Sequence, residues 1–167
     1  ADGTMGGLAH LEEFRRAISR FRESGKPVIA YTENPGNGSY YIASAADRIY
    51  MTSCEGGMNT LTGLSSQLFF LKDILDRLGI NVQLIRHGKY KSAGEMYIRN
   101  DISAENRSQY ETFIGSIWNG FSSEIAESRG MSAEQFNSLL NDLKLNSPED
   151  FLECGLVDSL FTREELH

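Results

Sequence analysis

The sequence predicts an α/β fold with mostly parallel strand pairing. Helix-like and strand-like stretches alternate along the chain. The run Val28-Ile29-Ala30-Tyr31 is apolar throughout, the pattern of a buried strand. The stretch Tyr40 to Ala46 is a small-residue helix, able to pack closely on a sheet.

Each element carries its own signal. A first helix is expected from Leu8 to Ser24, because Leu11, Phe14, Ile18 and Phe21 recur at helical spacing and Gly25 follows as a C′ residue. Lys26-Pro27 leads into the first strand. Glu33 to Ser39 holds a proline, two glycines and two asparagines, so it reads as a turn. Arg48-Ile49-Tyr50-Met51-Thr52 is the second strand, closed by the Glu55-Gly56-Gly57 turn. Ser65 is placed to cap a helix with an apolar stripe of Leu68, Leu71, Ile74, Leu75 and Leu78, ended by Gly79. Ile80 to Ile85 alternates as a strand should. After a long loop, His87 to Ile102, Ser103 caps the longest helix, with Tyr110, Phe113, Ile114, Ile117, Phe121 and Ile125 along one face, a stripe that reads as core. Ser132-Ala133-Glu134-Gln135 is a capping box, Ser147-Pro148-Glu149-Asp150 starts a short helix, and Thr162-Arg163-Glu164-Glu165 is another box.

Bulk properties narrow the function. A chain of 167 residues supports one sizeable core, so residues 1–167 are expected to form a single domain. Apolar content of 40% and charged content of 23% are those of an ordinary globular domain. A net charge of -7 argues against nucleic acid, which needs a basic surface to release counterions. Cys54 and Cys154 have no CxxC or Cys/His spacing around them, so no metal site is expected and buried thiols are favoured over a bridge. No apolar run reaches the roughly eighteen residues needed to span a bilayer. The chain opens on a loop and closes on a capping box with little helix behind it, which reads as a domain excised from something longer.

Two segments carry candidate chemistry. One is the glycine turn and helix Gly36-Asn37-Gly38-Ser39-Tyr40-Tyr41-Ile42-Ala43-Ser44-Ala45-Ala46-Asp47; the other is the loop Gly88-Lys89-Tyr90-Lys91-Ser92-Ala93-Gly94-Glu95. Lys91 is a possible general base, a role that requires loss of its charge in an apolar site; the plain alternative is a solvated loop lysine. Ser39 lies where a helix N-terminus could stabilise an oxyanion, or it simply caps the helix. Ser92 adjoins Lys91, but neighbouring side chains usually point apart, and Ser44 reads as packing. His10, His87 and His167 build no triad: the first is on a helix, the second is a surface histidine at a strand end, and the third is terminal. Glu12-Glu13 and Glu164-Glu165 read as solvated helix faces. Gly3, Gly6 and Gly7 lack the preceding strand that a phosphate loop requires. The residues alone leave catalysis open.

These segments, together with Glu23 to Val28, Ile98-Arg99-Asn100-Asp101, Ser103 and Gly155-Leu156-Val157-Asp158, resemble the signal peptide peptidase A (protease IV) family over nearly the whole chain. The resemblance implies the Clp protease/crotonase-like fold, a mostly parallel sheet flanked by helices, and a serine peptidase with a lysine base and no metal or organic cofactor. In the short form of that family the serine precedes a Gly-Gly-Tyr-Tyr run. Asn37 stands in its place here, followed by Gly38 and Ser39. In the long, tandem form the amino-terminal half supplies the lysine from a Tyr-Lys-Ser-Ala loop and the carboxy-terminal half supplies the serine. Tyr90-Lys91-Ser92-Ala93 therefore resembles the amino-terminal half, with Lys91 as general base. The partners implied are the serine-bearing domain, signal peptides as substrates and further copies in an oligomer. Membrane association is implied through segments outside this chain, at the periplasmic face of a bacterial inner membrane. The family's usual Glu-Pro-Phe is replaced here by Glu95-Met96-Tyr97, and no oxyanion role falls to Gly6 or Gly7. Two alternatives stand beside this reading: a catalytically silent scaffold domain, and a self-contained Ser39/Lys91 hydrolase.

Overall fold

A computed structural model describes residues 7–54, 59–85 and 91–166. The chain divides into two compact units, Ala1–Gly63 with Asn119–His167, and Leu64–Trp118.

The first unit is built on a parallel sheet. Strand β1 (Ile29–Thr32) pairs with β2 (Arg48–Met51) in the register Ile29 to Arg48 and Thr32 to Met51. Strand β3 (Ser159–Leu160) pairs with the other edge of β2, Tyr50 against Ser159, giving the order β1-β2-β3. Parallel neighbours need a crossover, and α2 (Asn37–Ala43) supplies it between β1 and β2. Helix α1 (Leu8–Arg22) precedes the sheet. The later part of α5 (Ala104–Ser128), with α6 (Ala133–Asn141) and α7 (Pro148–Glu153), completes the helices of this unit. Tyr40, Tyr41, Ile49, Leu61, Ile125, Phe136, Phe151 and Leu156 form its buried centre. Tyr41 stacks on Phe121 with centroids 4.1 Å apart, and Tyr40 meets Phe151 edge-on while its hydroxyl donates to the Leu156 carbonyl.

One buried cation ties these layers together. Arg15, on α1, donates to the Tyr41 carbonyl and Ser44 Oγ at the end of α2, and to the Glu124 carbonyl and Ser128 Oγ on α5. Its Nε also lies 2.8 Å from the Glu124 carboxylate, and its guanidinium sits 4.7 Å over the Tyr41 ring. A second polar joint closes the sheet. Asp158, just before β3, accepts from the Ile49 N–H at 2.7 Å and pairs with Arg129 and Arg48.

The second unit contains α3 (Lys72–Arg77), α4 (Glu95–Ile98) and the first part of α5. Here the sequence reading needs correction. The helix expected from Ser65 begins only at Lys72, and Ile80 to Ile85 forms no ladder. None of the α3 residues is buried, and Ile74 and Leu78 are 56% and 67% exposed. A helical stripe is stabilised mainly by what it packs against, so one left open yields only a short helix. Residues 80–85 keep the alternation, with Val82 and Leu84 half-buried and Ile85 97% exposed, yet no described strand lies alongside to accept their backbone bonds.

Smaller corrections concern lengths and burial. Helix α2 starts at Asn37 rather than Tyr40, the expected loop from His87 contains α4, and β3 is too short to leave a periodic signal. The closing box forms a 3-10 turn, Arg163–Leu166, in which Glu165 accepts from the Thr162 N–H. Of the α5 stripe, Phe121 and Ile125 are core, whereas Phe113 is 66% exposed. Cys54 is exposed and Cys154 half-buried, both as free thiols, so the expected burial fails for Cys54.

Replacing Arg15 with Ala strands several buried acceptors, and urea unfolding is expected to show a loss of about 3 kcal/mol. A second expectation concerns acid. Burial raises the Asp158 carboxyl, but the Ile49 N–H and the Arg129 and Arg48 guanidinium groups outweigh it and hold the group below its ordinary range. A depressed carboxylate contributes stability above its unfolded-state value and loses it as pH falls through the folded one. Urea midpoints measured between about pH 6 and about pH 2 should therefore decline less steeply in Asp158→Asn than in the parent.

Candidate active site

The turn after β1 belongs wholly to the first unit. Gly36 forms an isolated parallel bridge with Thr60, and a Cβ at Gly36 would come within 2.8 Å of Thr60 Oγ1, so any larger residue would have to displace that side chain. Asn37 is the first residue of α2. Its Oδ1 accepts from the Thr62 and Gly63 N–H groups, both at 3.2 Å, and its Nδ2 donates to the Gly63 carbonyl at 2.7 Å. The amide thus presents donor and acceptor to one short segment, which a serine hydroxyl could not span. Ser39 lies in the first turn of α2 rather than at its cap. Its Oγ accepts from the Gly36 N–H at 2.9 Å, the reach-back of a capping box. Ser44 is buried as a receiver of the Arg15 bond.

Lys91 belongs to the second unit and is exposed. Ser92 beside it is half-buried and donates from Oγ to Asn106 Oδ1 at 2.9 Å. The Glu95 N–H donates to the Ser92 carbonyl, closing the turn that follows the lysine. Glu95 is only 1% exposed, and its carboxylate accepts from Ser103 Oγ at 2.7 Å, from the Ser103 N–H at 3.3 Å and from Asn106 Nδ2 at 3.2 Å. Ser103 caps α5 as expected, its Oγ accepting from the Asn106 N–H at 3.2 Å. Pattern reading missed Glu95 and Asn106. The available signal was that Asn106, not Glu or Gln, stands three residues after the cap, which leaves the Ser103 N–H to another acceptor.

His10 is exposed on α1, while His87, Gly88, Lys89, Tyr90 and His167, with Gly3 and Gly6, lie outside the described residues. Among the described residues no group of His, Cys, Asp and Glu could hold a metal ion, and no helix is long and apolar enough to cross a membrane.

Residues 20–167 match peptidase family S49. The chain belongs to that family. Its members have the Clp protease/crotonase-like fold, to which the parallel β1-β2-β3 sheet and its flanking helices correspond. The chain is 39% identical over 166 residues to Protease 4 of Haemophilus influenzae, covering 95% of this chain and 27% of that protein. It is 36% identical over 120 residues to Protease 4 of Salmonella typhi, covering 72% and 19% respectively. The chloroplastic serine protease SPPA of Arabidopsis thaliana is 29% identical over 160 residues, covering 96% and 23%. This S49 chain therefore spans about a quarter of the length of these relatives.

Asn37→Ala removes three hydrogen bonds that hold residues 62 and 63. The expected loss is about 1–2 kcal/mol in urea unfolding, with faster amide exchange at Thr62 and Gly63.

Proposed function

We propose that this S49 domain is the lysine-donating half of a Ser-Lys dyad peptidase, and that the serine comes from a carboxy-terminal domain of the same longer protein. The observation that carries this reading is Asn37. The residue in the nucleophile's place has an amide engaged on Thr62 and Gly63, while the Lys91 loop keeps the residues of a base-bearing loop. The relatives' names, Protease 4 and serine protease SPPA, and their much greater length support it further.

In the proposed reaction the neutral Lys91 amine takes the proton of the partner domain's serine as its oxygen attacks the scissile carbonyl. The same ammonium then returns that proton to the leaving amine, leaving an acyl-enzyme that water hydrolyses with the lysine again as base. A base of this kind needs a dry, apolar surrounding to shed its charge. Lys91 is exposed in this chain, so in our reading the serine-bearing domain supplies the cover. Residues 1–167 would then act as one Clp/crotonase-like domain. The substrates would be cleaved signal peptides, taken in extended form at the periplasmic face of a bacterial inner membrane by an oligomer anchored through other segments. No metal or organic cofactor enters this chemistry. Ser39 is set aside as nucleophile because its hydroxyl caps α2 through Gly36.

Peptidase activity of this chain alone, and of the full-length protein with Lys91 intact or changed to Ala, tests the proposal. A silent chain and a full-length enzyme that falls by at least about 10³-fold on Lys91→Ala are expected. An active isolated chain would return the nucleophile to Ser39, and a full-length enzyme indifferent to Lys91 would leave the domain as a scaffold.

A further inference from the structure

The network behind the Lys91 loop has more order than a surface loop requires. Glu95 and Asn106 are 1% and 6% exposed, so two polar side chains have been withdrawn from water and matched to each other. The Asn106 amide nitrogen faces Glu95 and donates to its Oε2, and its oxygen faces Ser92 and accepts from the Ser92 hydroxyl. The bonds run in one connected chain, Ser92 to Asn106, Asn106 to Glu95 and Ser103 to Glu95. Glu95 also does the work that the third helical residue does in a capping box, by accepting from the backbone N–H of Ser103. Its carboxyl group sits at the N-terminal end of α5, a helix of 25 residues. Leu84 approaches the turn between the lysine and this anchor closely. A Cβ at Gly94 would lie 2.4 Å from Leu84 Cδ1, so Leu84 seats directly on the backbone there.

We infer that Glu95 is a positioning residue for the general base: through Asn106 it fixes Ser92, and with it the adjoining Lys91, to the N-terminus of α5. The inference rests on the reading of Lys91 as base, and deepens it. Glu95 touches no reacting atom. Its effect is on where the lysine backbone stands, and a catalytic group displaced by about 1 Å can lose about 10²-fold in rate.

The test uses the full-length protein with four variants, Lys91→Ala, Glu95→Ala, Glu95→Gln and Ser92→Ala, measured for kcat, KM and thermal midpoint. Glu95→Ala is expected to lower kcat by about 10²-fold with KM changed by less than about threefold. Glu95→Gln should recover most of that loss. Its amide oxygen can accept from the Ser103 N–H and Asn106, and its NH₂ can donate to Ser103 Oγ. Ser92→Ala cuts only the last link and should lower kcat by about tenfold at an unchanged thermal midpoint. Full activity in Glu95→Ala overturns the inference, as does a Glu95→Gln enzyme no better than Glu95→Ala. If Glu95→Ala fails to fold, Ser92→Ala decides, and full activity there overturns it. A Lys91→Ala enzyme that stays active instead removes the base itself. A dead Lys91→Ala enzyme with active Glu95 and Ser92 variants removes only the positioning role.

Discussion

The first unit depends on a single buried guanidinium. Arg15 is the point at which α1, the end of α2 and the later part of α5 meet, and its donors face two backbone carbonyls, two serine hydroxyls and a carboxylate. The planar fork of arginine suits this task because several donors leave one rigid group in fixed directions, which an ammonium on a flexible stem cannot imitate. Tyr41 completes the joint from below, with its ring under the guanidinium and its hydroxyl donating to the same Glu124 carboxylate at 2.8 Å. Burial, then the bond to Glu124, pushes that phenol up to about 12, so it stays a donor throughout the working range. A buried charge of this kind adds little net stability, but it penalises every arrangement in which one partner is missing. The packing of α1 against α2 is thereby made specific.

The two candidate segments are held by a common device, a polar side chain caught between a helix start and a neighbouring loop. At Asn37 the amide spans to residues 62 and 63. At Glu95 the carboxylate serves the start of α5 and, through Asn106, the residue next to Lys91. Both spend polar groups on rigidity. The exposed apolar residues of the second unit, among them Phe69, Ile74, Leu78 and Phe113, show the opposite condition, apolar surface without a core to enter.

Legibility in the sequence followed burial. The strand Arg48–Met51 and the helices capped by Ser132 and Ser147 were readable because their local signal and their tertiary environment agree, and Ser103 caps α5 as its position implied; Val28 to Tyr31 does hold a strand, but not the buried one expected, since Ile29 is 56% exposed. The apolar stripe from Leu68 to Leu78 and the alternation of Ile80 to Ile85 are just as regular, and there the reading failed. Periodicity reports which face could be buried, and it says nothing about whether a partner is present to bury it. Strand β3 failed for the converse reason: two residues bear no period, and their pairing with β2 is enforced by Asp158 bonding across to Ile49.

By itself the sequence determined the α/β class, the helix caps and the lysine loop with its family resemblance, because those properties are written in residues near one another along the chain. Only the tertiary structure decided that Asn37 grips residues 62 and 63, whereas the capping role of Ser39, a bond between residues three apart, was among the sequence's own readings. The tertiary structure alone joined Arg15 to α5 and buried Glu95 beneath the Lys91 turn. Hydrogen bonds between residues distant in sequence leave no local pattern, since each partner type has an ordinary solvated role as well.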